Sequence, residues 1–167
     1  MTLPPRWRRF VLVTHIATSV GWLGAVVAYL ALDITAVTTS SGPLARAAYL
    51  AMDVIVRSAI VPLALASVLV GVSNALVTPW GLFRHYWVLA KLVLTLFATT
   101  VLLIETATVS RFAELARSGS NARELPGTLP HSIGGTVVLL VVLGLSVYKP
   151  RGLTRYGWRL QQAATKR

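Results

Sequence analysis

Residues 10–32 read FVLVTHIATSVGWLGAVVAYLAL, an unbroken run without a single Asp, Glu, Lys or Arg. At about 1.5 Å of rise per residue, a helix over this run is roughly 35 Å long. The hydrocarbon core of a bilayer is about 30 Å thick, so the run reads as a membrane-crossing helix. Arg6, Arg8 and Arg9 stand just before it and Asp33 just after. The run is too long for the apolar core of a secretory signal, and no clear small-x-small cleavage site follows it. It is expected to persist as a permanent helix.

Working outward, three more windows have the same character. The predicted helices cover residues 10–32, 47–78, 86–110 and 131–149, followed by a basic tail over 150–167. Pro43 and Pro79 bound the second window, and Lys149-Pro150 closes the fourth. Ser118, Gly119, Ser120 and Asn121, with Pro126, Gly127 and Pro130, mark a loop before it. The expected fold is all-α: one polytopic domain over residues 1–167, an antiparallel bundle of four transmembrane helices. Hydrophobic residues make up 55% of the chain and charged residues 13%, which excludes an ordinary soluble domain.

The net charge of +11 does not point to nucleic acid, because the basic residues flank apolar runs and form no separate domain. The lack of cysteine removes disulfides, thiolate nucleophiles and thiolate metal ligands. The charge asymmetry instead predicts an orientation. With the N-terminus inside, the cytoplasmic segments hold Arg6, Arg8, Arg9, Arg84, Lys149, Arg151, Arg155, Arg159, Lys166 and Arg167. The opposite side holds Arg46, Arg111, Arg117 and Arg123, partly offset by Glu114 and Glu124. Both termini are therefore expected in the cytoplasm, with the chain in the plasma membrane of a bacterium. Trp7, Trp80, Trp87 and Trp158 fall near the inner interface, as belt residues do.

Polar groups at membrane depth are costly, so each needs a reason. On the first helix His15, Ser19, Trp22, Val26, Tyr29 and Asp33 share a face, and Ala17, Gly21 and Ala25 form a ridge of small residues. On the second, Arg57, Ala64, Ser67, Gly71, Asn74 and Thr78 are roughly aligned, with Pro62 as a kink site. The third carries Trp87, Lys91, Thr95, Ala98, Leu102 and Glu105, and the fourth His131, Gly134, Gly135 and Ser146. Antiparallel packing sorts these by depth. An inner cluster holds His15, Lys91, Asn74, Thr78 and Ser146; an outer cluster holds Asp33, Asp53, Arg57, Glu105 and His131.

Each cluster has two readings. His15 is either a satisfied interior histidine or an axial haem ligand, and Lys91 either reaches toward headgroups or pairs with a haem propionate. The outer cluster reads as an interfacial ion-pair network, with Asp53 and Arg57 at i, i+4, or as metal ligands. His15 and His131 lie at opposite depths, so one haem cannot take both.

Taken together, His15-x6-Trp22-x-Gly24, Pro62-x8-Gly71, Trp87-x3-Lys91-Leu92 and the terminal Lys149-Pro150 resemble the CopD-like four-helix membrane superfamily. That grouping includes the HemJ-type protoporphyrinogen IX oxidases and the copper-resistance-D membrane domains. The resemblance covers residues 10 to 152. It implies haem b, with His15 on the iron and Lys91 as the catalytic candidate, and Trp22 and Asn74 lining the cofactor. Leu89 stands where HemJ-type proteins carry a histidine, and Glu124-Leu125-Pro126 only loosely echoes their acidic-Pro motif. The chain is thereby most similar to an uncharacterised integral-membrane branch, whose basic tails resemble residues 148–157.

The leading expectation is a haem-b-binding membrane protein, redox-active as an oxidase-like enzyme or an electron carrier. Its alternatives are copper handling, with His131, Glu105 and Asp53 as ligands, or a non-catalytic membrane scaffold subunit. The expected partners are the lipid bilayer, a porphyrin or quinone-like small molecule, and a second copy of the chain.

Overall fold

The structure, a computed structural model, describes residues 4–77, 81–119 and 121–165. Thr78, Pro79, Trp80, Ser120, Lys166 and Arg167, all used above, lie outside the described residues. Helix α1 spans Pro5–Thr38 and α2 spans Gly42–Ile55. A π-helical turn over Val56–Ile60 leads without a break into α3, Val61–Val77. Then follow α4 over Tyr86–Arg117, a 3-10 turn over Ala122–Glu124, α5 over Leu129–Tyr148 and α6 over Arg155–Thr165. The only extended pairing among the described residues is an isolated bridge between His85 and Leu153.

Four helices are long and apolar enough to cross a membrane: residues 5–38, 42–77, 86–117 and 129–148. No more than 28% of any of their most apolar windows is buried inside the protein. Leu69, Ile104 and Val147 are each about two-thirds exposed. Surface this apolar is stable only against lipid, so the chain is an integral membrane protein.

The first three spanning helices run well past the predicted windows. Their 34, 36 and 32 residues correspond to about 51, 54 and 48 Å, against the ~30 Å of hydrocarbon. Hydropathy marks only the lipid-immersed part, whereas the hydrogen-bonded ladder continues until a cap stops it. Pro5 opens α1, where a missing N–H costs nothing. Ser41 caps α2, accepting from Leu44 N at 3.4 Å. Lys149, in the left-handed region at φ 43°, ends α5 ahead of Pro150.

The π turn is the local response to Pro62. Proline lacks an N–H and its ring crowds the carbonyl four residues back. A wider turn relieves that crowding, and Val61 N–H bonds Val56 O, five residues back. The kink site at Pro62 is thus an absorbed bulge within one continuous span.

α1 and α4 each pack against the α2–α3 span and against α5, and so stand at opposite corners of the bundle. His15 meets Gly71 near the end where α1 begins and α6 lies, here the terminal end. Asp33 meets Thr128 and Ser132 at the other, the distal end. α6 is an amphipathic helix that the sequence reading leaves as tail. Thr154 ties its start to the loop before α4 by donating its hydroxyl to Phe83 O at 2.6 Å.

Candidate functional site

At the distal end the polar residues expected to form one cluster divide into three groups. Asp33 is fully buried. Its carboxylate accepts from Thr128 N–H at 3.0 Å, Thr128 Oγ1 at 2.9 Å and Ser132 Oγ at 2.8 Å. With the Thr128 proton on Asp33, Tyr29 must donate to Thr128 Oγ1, 2.6 Å away. The resulting chain of hydroxyls ties α1 to the first turn of α5. Gly127 makes it possible, because a Cβ there would overlap Val37 and sit 3.0 Å from Asp33 Oδ1.

The second group centres on Asp53. It accepts from Arg57 Nε at 2.9 Å and Ser110 Oγ at 2.9 Å, and Arg117 Nη2 stands 3.5 Å away. The i, i+4 pair read from the sequence is present, and α4 completes it with Ser110 and Arg117. The third group pairs His131 Nε2 with Glu105 Oε1 at 3.5 Å. Asp53 therefore does not join His131 and Glu105, and no group of three His, Asp or Glu among the described residues could hold a metal ion.

Toward the terminal end the structure partly assembles the inner cluster. The His15 imidazole rests on Gly71, where a Cβ would stand 2.9 Å from Cε1. Next to it Ser19 and Ser67 share a 2.8 Å hydrogen bond. Lys91, early in α4, stands at the same end of the bundle, and its ammonium lies 5.6 Å from the centre of the Trp87 ring. His15 Nδ1 and Asn74 Oδ1 are buried without a partner. The ridge at Ala17, Gly21 and Ala25 is only partly a contact, since Leu63 approaches Gly21 while Ala17 is exposed.

Trp22, which the resemblance sets beside the cofactor, stands apart from this group. It lies seven residues, or about 10 Å, farther along α1 than His15, where it helps enclose a cavity of about 390 Å³. The walls come from α1 (Trp22, Val26, Tyr29), the π turn (Val56, Ile60), α4 (Ala98, Leu102, Glu105) and α5 (His131, Gly135, Leu139). The lining is almost wholly apolar except at the distal end, where Glu105, His131 and the Tyr29–Thr128 pair meet. Phe97 of α4 and Gly134 of α5 line the cavity and are also exposed, so it opens toward lipid between those helices. Trp22 is 3% exposed, and its Nε1–H has no acceptor.

The cavity escaped the sequence reading because its walls are ordinary apolar positions. The alignment of Trp22 with Tyr29 and of Ala98 with Glu105 was visible, but not the space between the two stripes. Thr128 and Ser132 carried no signal beyond the polar loop that precedes α5. Comparisons with protein families, with curated proteins and with solved structures return no match to this chain.

Proposed function

We propose that this protein binds a lipid-soluble small molecule in the cavity between α1, α4 and α5. The opening of the cavity carries the reading: Phe97 and Gly134 line it and are also exposed, so its apolar interior is continuous with the bilayer. The volume falls within the range of small-molecule pockets, and the opening toward lipid suits a molecule dissolved in the bilayer. Both termini are assigned to the cytoplasm of a bacterial cell by the arginines and lysines gathered at the terminal end.

Photolabelling with the small apolar reagent trifluoromethyl-phenyldiazirine tests this reading. Cavity residues between Ala98 and Glu105, and between Gly135 and Leu139, should label several-fold above lipid-facing positions such as Leu69. Gly135→Leu should remove the excess, because a side chain there has room to project into the cavity (the nearest atom to a Cβ is Val26 Cγ1 at 4.0 Å). Even labelling of cavity and lipid faces, unchanged by Gly135→Leu, would overturn it.

A second reading retains haem b, the CopD-like resemblance and a redox role. It is favoured by the buried, unpartnered Nδ1 of His15, since a neutral imidazole nitrogen is the usual axial donor to haem iron. His15 would hold the iron, Lys91 would meet a propionate, and the group would supply one-electron chemistry. This reading stands second because His15 does not line the cavity. Protein purified after expression with ample haem is expected to show a Soret band that His15→Ala abolishes. A colourless preparation, or a band indifferent to the substitution, would eliminate it.

A further inference from the structure

We infer that α6 is a membrane-surface helix that docks on acidic phospholipid headgroups of the leaflet at the terminal end. Arg155 and Arg159 meet the headgroups, beside an apolar edge of Tyr156 and Leu160.

The base of α6 is fixed at the level of that surface. α5 has 20 residues, just enough to cross the hydrocarbon, so Tyr148 ends it at the membrane boundary. α6 begins seven residues later, tied to the start of α4. Tyr86 N–H donates to Gly152 O at 3.3 Å, and Thr154 N–H donates to Arg84 O at 3.1 Å. The Thr154 hydroxyl caps α6 by accepting from Gly157 N–H at 3.1 Å. Gly157 is buried, and a Cβ there would overlap the Arg84 carbonyl. Beyond this first turn α6 packs against no other helix to any extent, and residues 158–163 are all exposed.

A helix of 11 residues is marginal in water by itself, so another surface must stabilise it. Tyr156, Leu160 and Ala163 recur at i, i+4 and i+7 and share one face. Arg155, Arg159 and Gln162 share the adjacent face, about 100° round the axis. A helix lying in the interface has this pattern, with its apolar edge in the acyl boundary and its cations among the headgroups. The edge is small. Neutral lipid therefore holds it weakly, and attraction to anions supplies the rest.

Charge selects the partner. All five acids, Asp33, Asp53, Glu105, Glu114 and Glu124, stand in the distal half of the bundle. At the terminal end Arg6, Arg9, Arg151, Arg155 and Arg159 are exposed, with no Asp or Glu to neutralise them. Acidic headgroups supply the missing charge, at about five-fold in affinity for each arginine near the surface. A second copy offering this same end would bring like charges together, which opposes contact.

The chain has no cysteine, so Ala163→Cys takes a single bimane label on the apolar edge of α6. A lipid carrying a nitroxide high on its acyl chain quenches the label when α6 is docked. Quenching should be several-fold greater in vesicles one-third phosphatidylglycerol than in phosphatidylcholine alone. Arg155→Gln with Arg159→Gln should return it to the phosphatidylcholine level. So should 1 M salt, which screens charges beyond about 3 Å. A label at Leu69→Cys, on an exposed position of α3, should be quenched alike throughout, showing that each variant is inserted and folded. Equal quenching of the α6 label in both lipids would overturn the inference, as would indifference to the arginine substitutions. A label that stays in water in both lipids would overturn it too and leave the face to a soluble partner. Shielding that follows the protein-to-lipid ratio and not the lipid charge would assign the face to a second copy and equally overturn it.

Discussion

Replacing Asp33 with alanine is expected to lower the free energy of unfolding by about 3 kcal/mol, or roughly 6–12 °C in melting temperature for a chain of this size. The carboxylate is fully buried and accepts three hydrogen bonds from neutral donors. Removing it strands the Thr128 amide and leaves the hydroxyls only their second neighbours, Tyr29 Oη for Thr128 and the longer contact to Leu129 O for Ser132. A stranded donor costs about 1–3 kcal/mol in a dry site, while interhelical hydrogen bonds within membranes average nearer 0.6 kcal/mol. The stranded amide and the two lost hydroxyl bonds together come to about 3 kcal/mol. Asp33→Asn should lose much less. Its Oδ1 can keep the Thr128 amide while its NH2 group donates to the Thr128 and Ser132 hydroxyls, whose protons turn to Tyr29 Oη and Leu129 O. Thermal melts followed by circular dichroism would measure both. A shift under about 2 °C for Asp33→Ala would mean that water replaces the carboxylate without loss.

Gly127→Val is expected to be nearly as damaging, at about 2–3 kcal/mol, by overpacking instead of stranding. Even the first carbon of a side chain at Gly127 would collide with Val37 and press within 3.0 Å of Asp33 Oδ1. The loop must retreat, and with it goes the Thr128 amide that donates to Asp33. Both substitutions therefore act on one contact, and their effects should not add. The double variant should fall short of the sum by at least about 1 kcal/mol. Full additivity would show that Gly127 holds the loop for a reason unconnected with Asp33.

Much of this architecture was readable in advance because membrane spans announce themselves by length and apolarity. The stripe from His15 to Asp33 on α1 could be read for the same reason, since a period of 3.6 survives in any single helix. Depth arithmetic brought His15 and Lys91 to one level, and both lie toward the terminal end of their helices. Trp22 was set beside the cofactor by the resemblance and not by depth; it shares the face of His15 but stands at a different height of the bundle. Depth failed to separate Asp33, Asp53 and Glu105. Those three occupy one layer on different helices, and their grouping depends on lateral packing that no single-helix pattern encodes. The partners of Asp33 are 95 and 99 positions away along the chain. The ends of α1, α2 and α4 were underestimated because polar residues such as Arg117 lower hydropathy without ending a helix. α6 was missed despite a usable signal, the alternation of Arg155, Arg159 and Gln161 with Tyr156, Trp158 and Leu160.

The π turn at Val56–Ile60 keeps two halves of one rod in phase. Ala45 and Gly71 are 26 positions apart, and at 3.6 residues per turn a uniform α-helix would leave them about 80° out of line. One supernumerary residue in a wide turn takes up about that much rotation. Ala45, Tyr49, Met52, Val56, Ile60, Ala64 and Ser67 can thereby share a single buried seam. Regular α-helix over these same residues, with the wide turn lost and none deleted, would act like a twisted axle. It would swing everything downstream, Gly71 and its seat for His15 included, round toward lipid while leaving the composition of the span untouched.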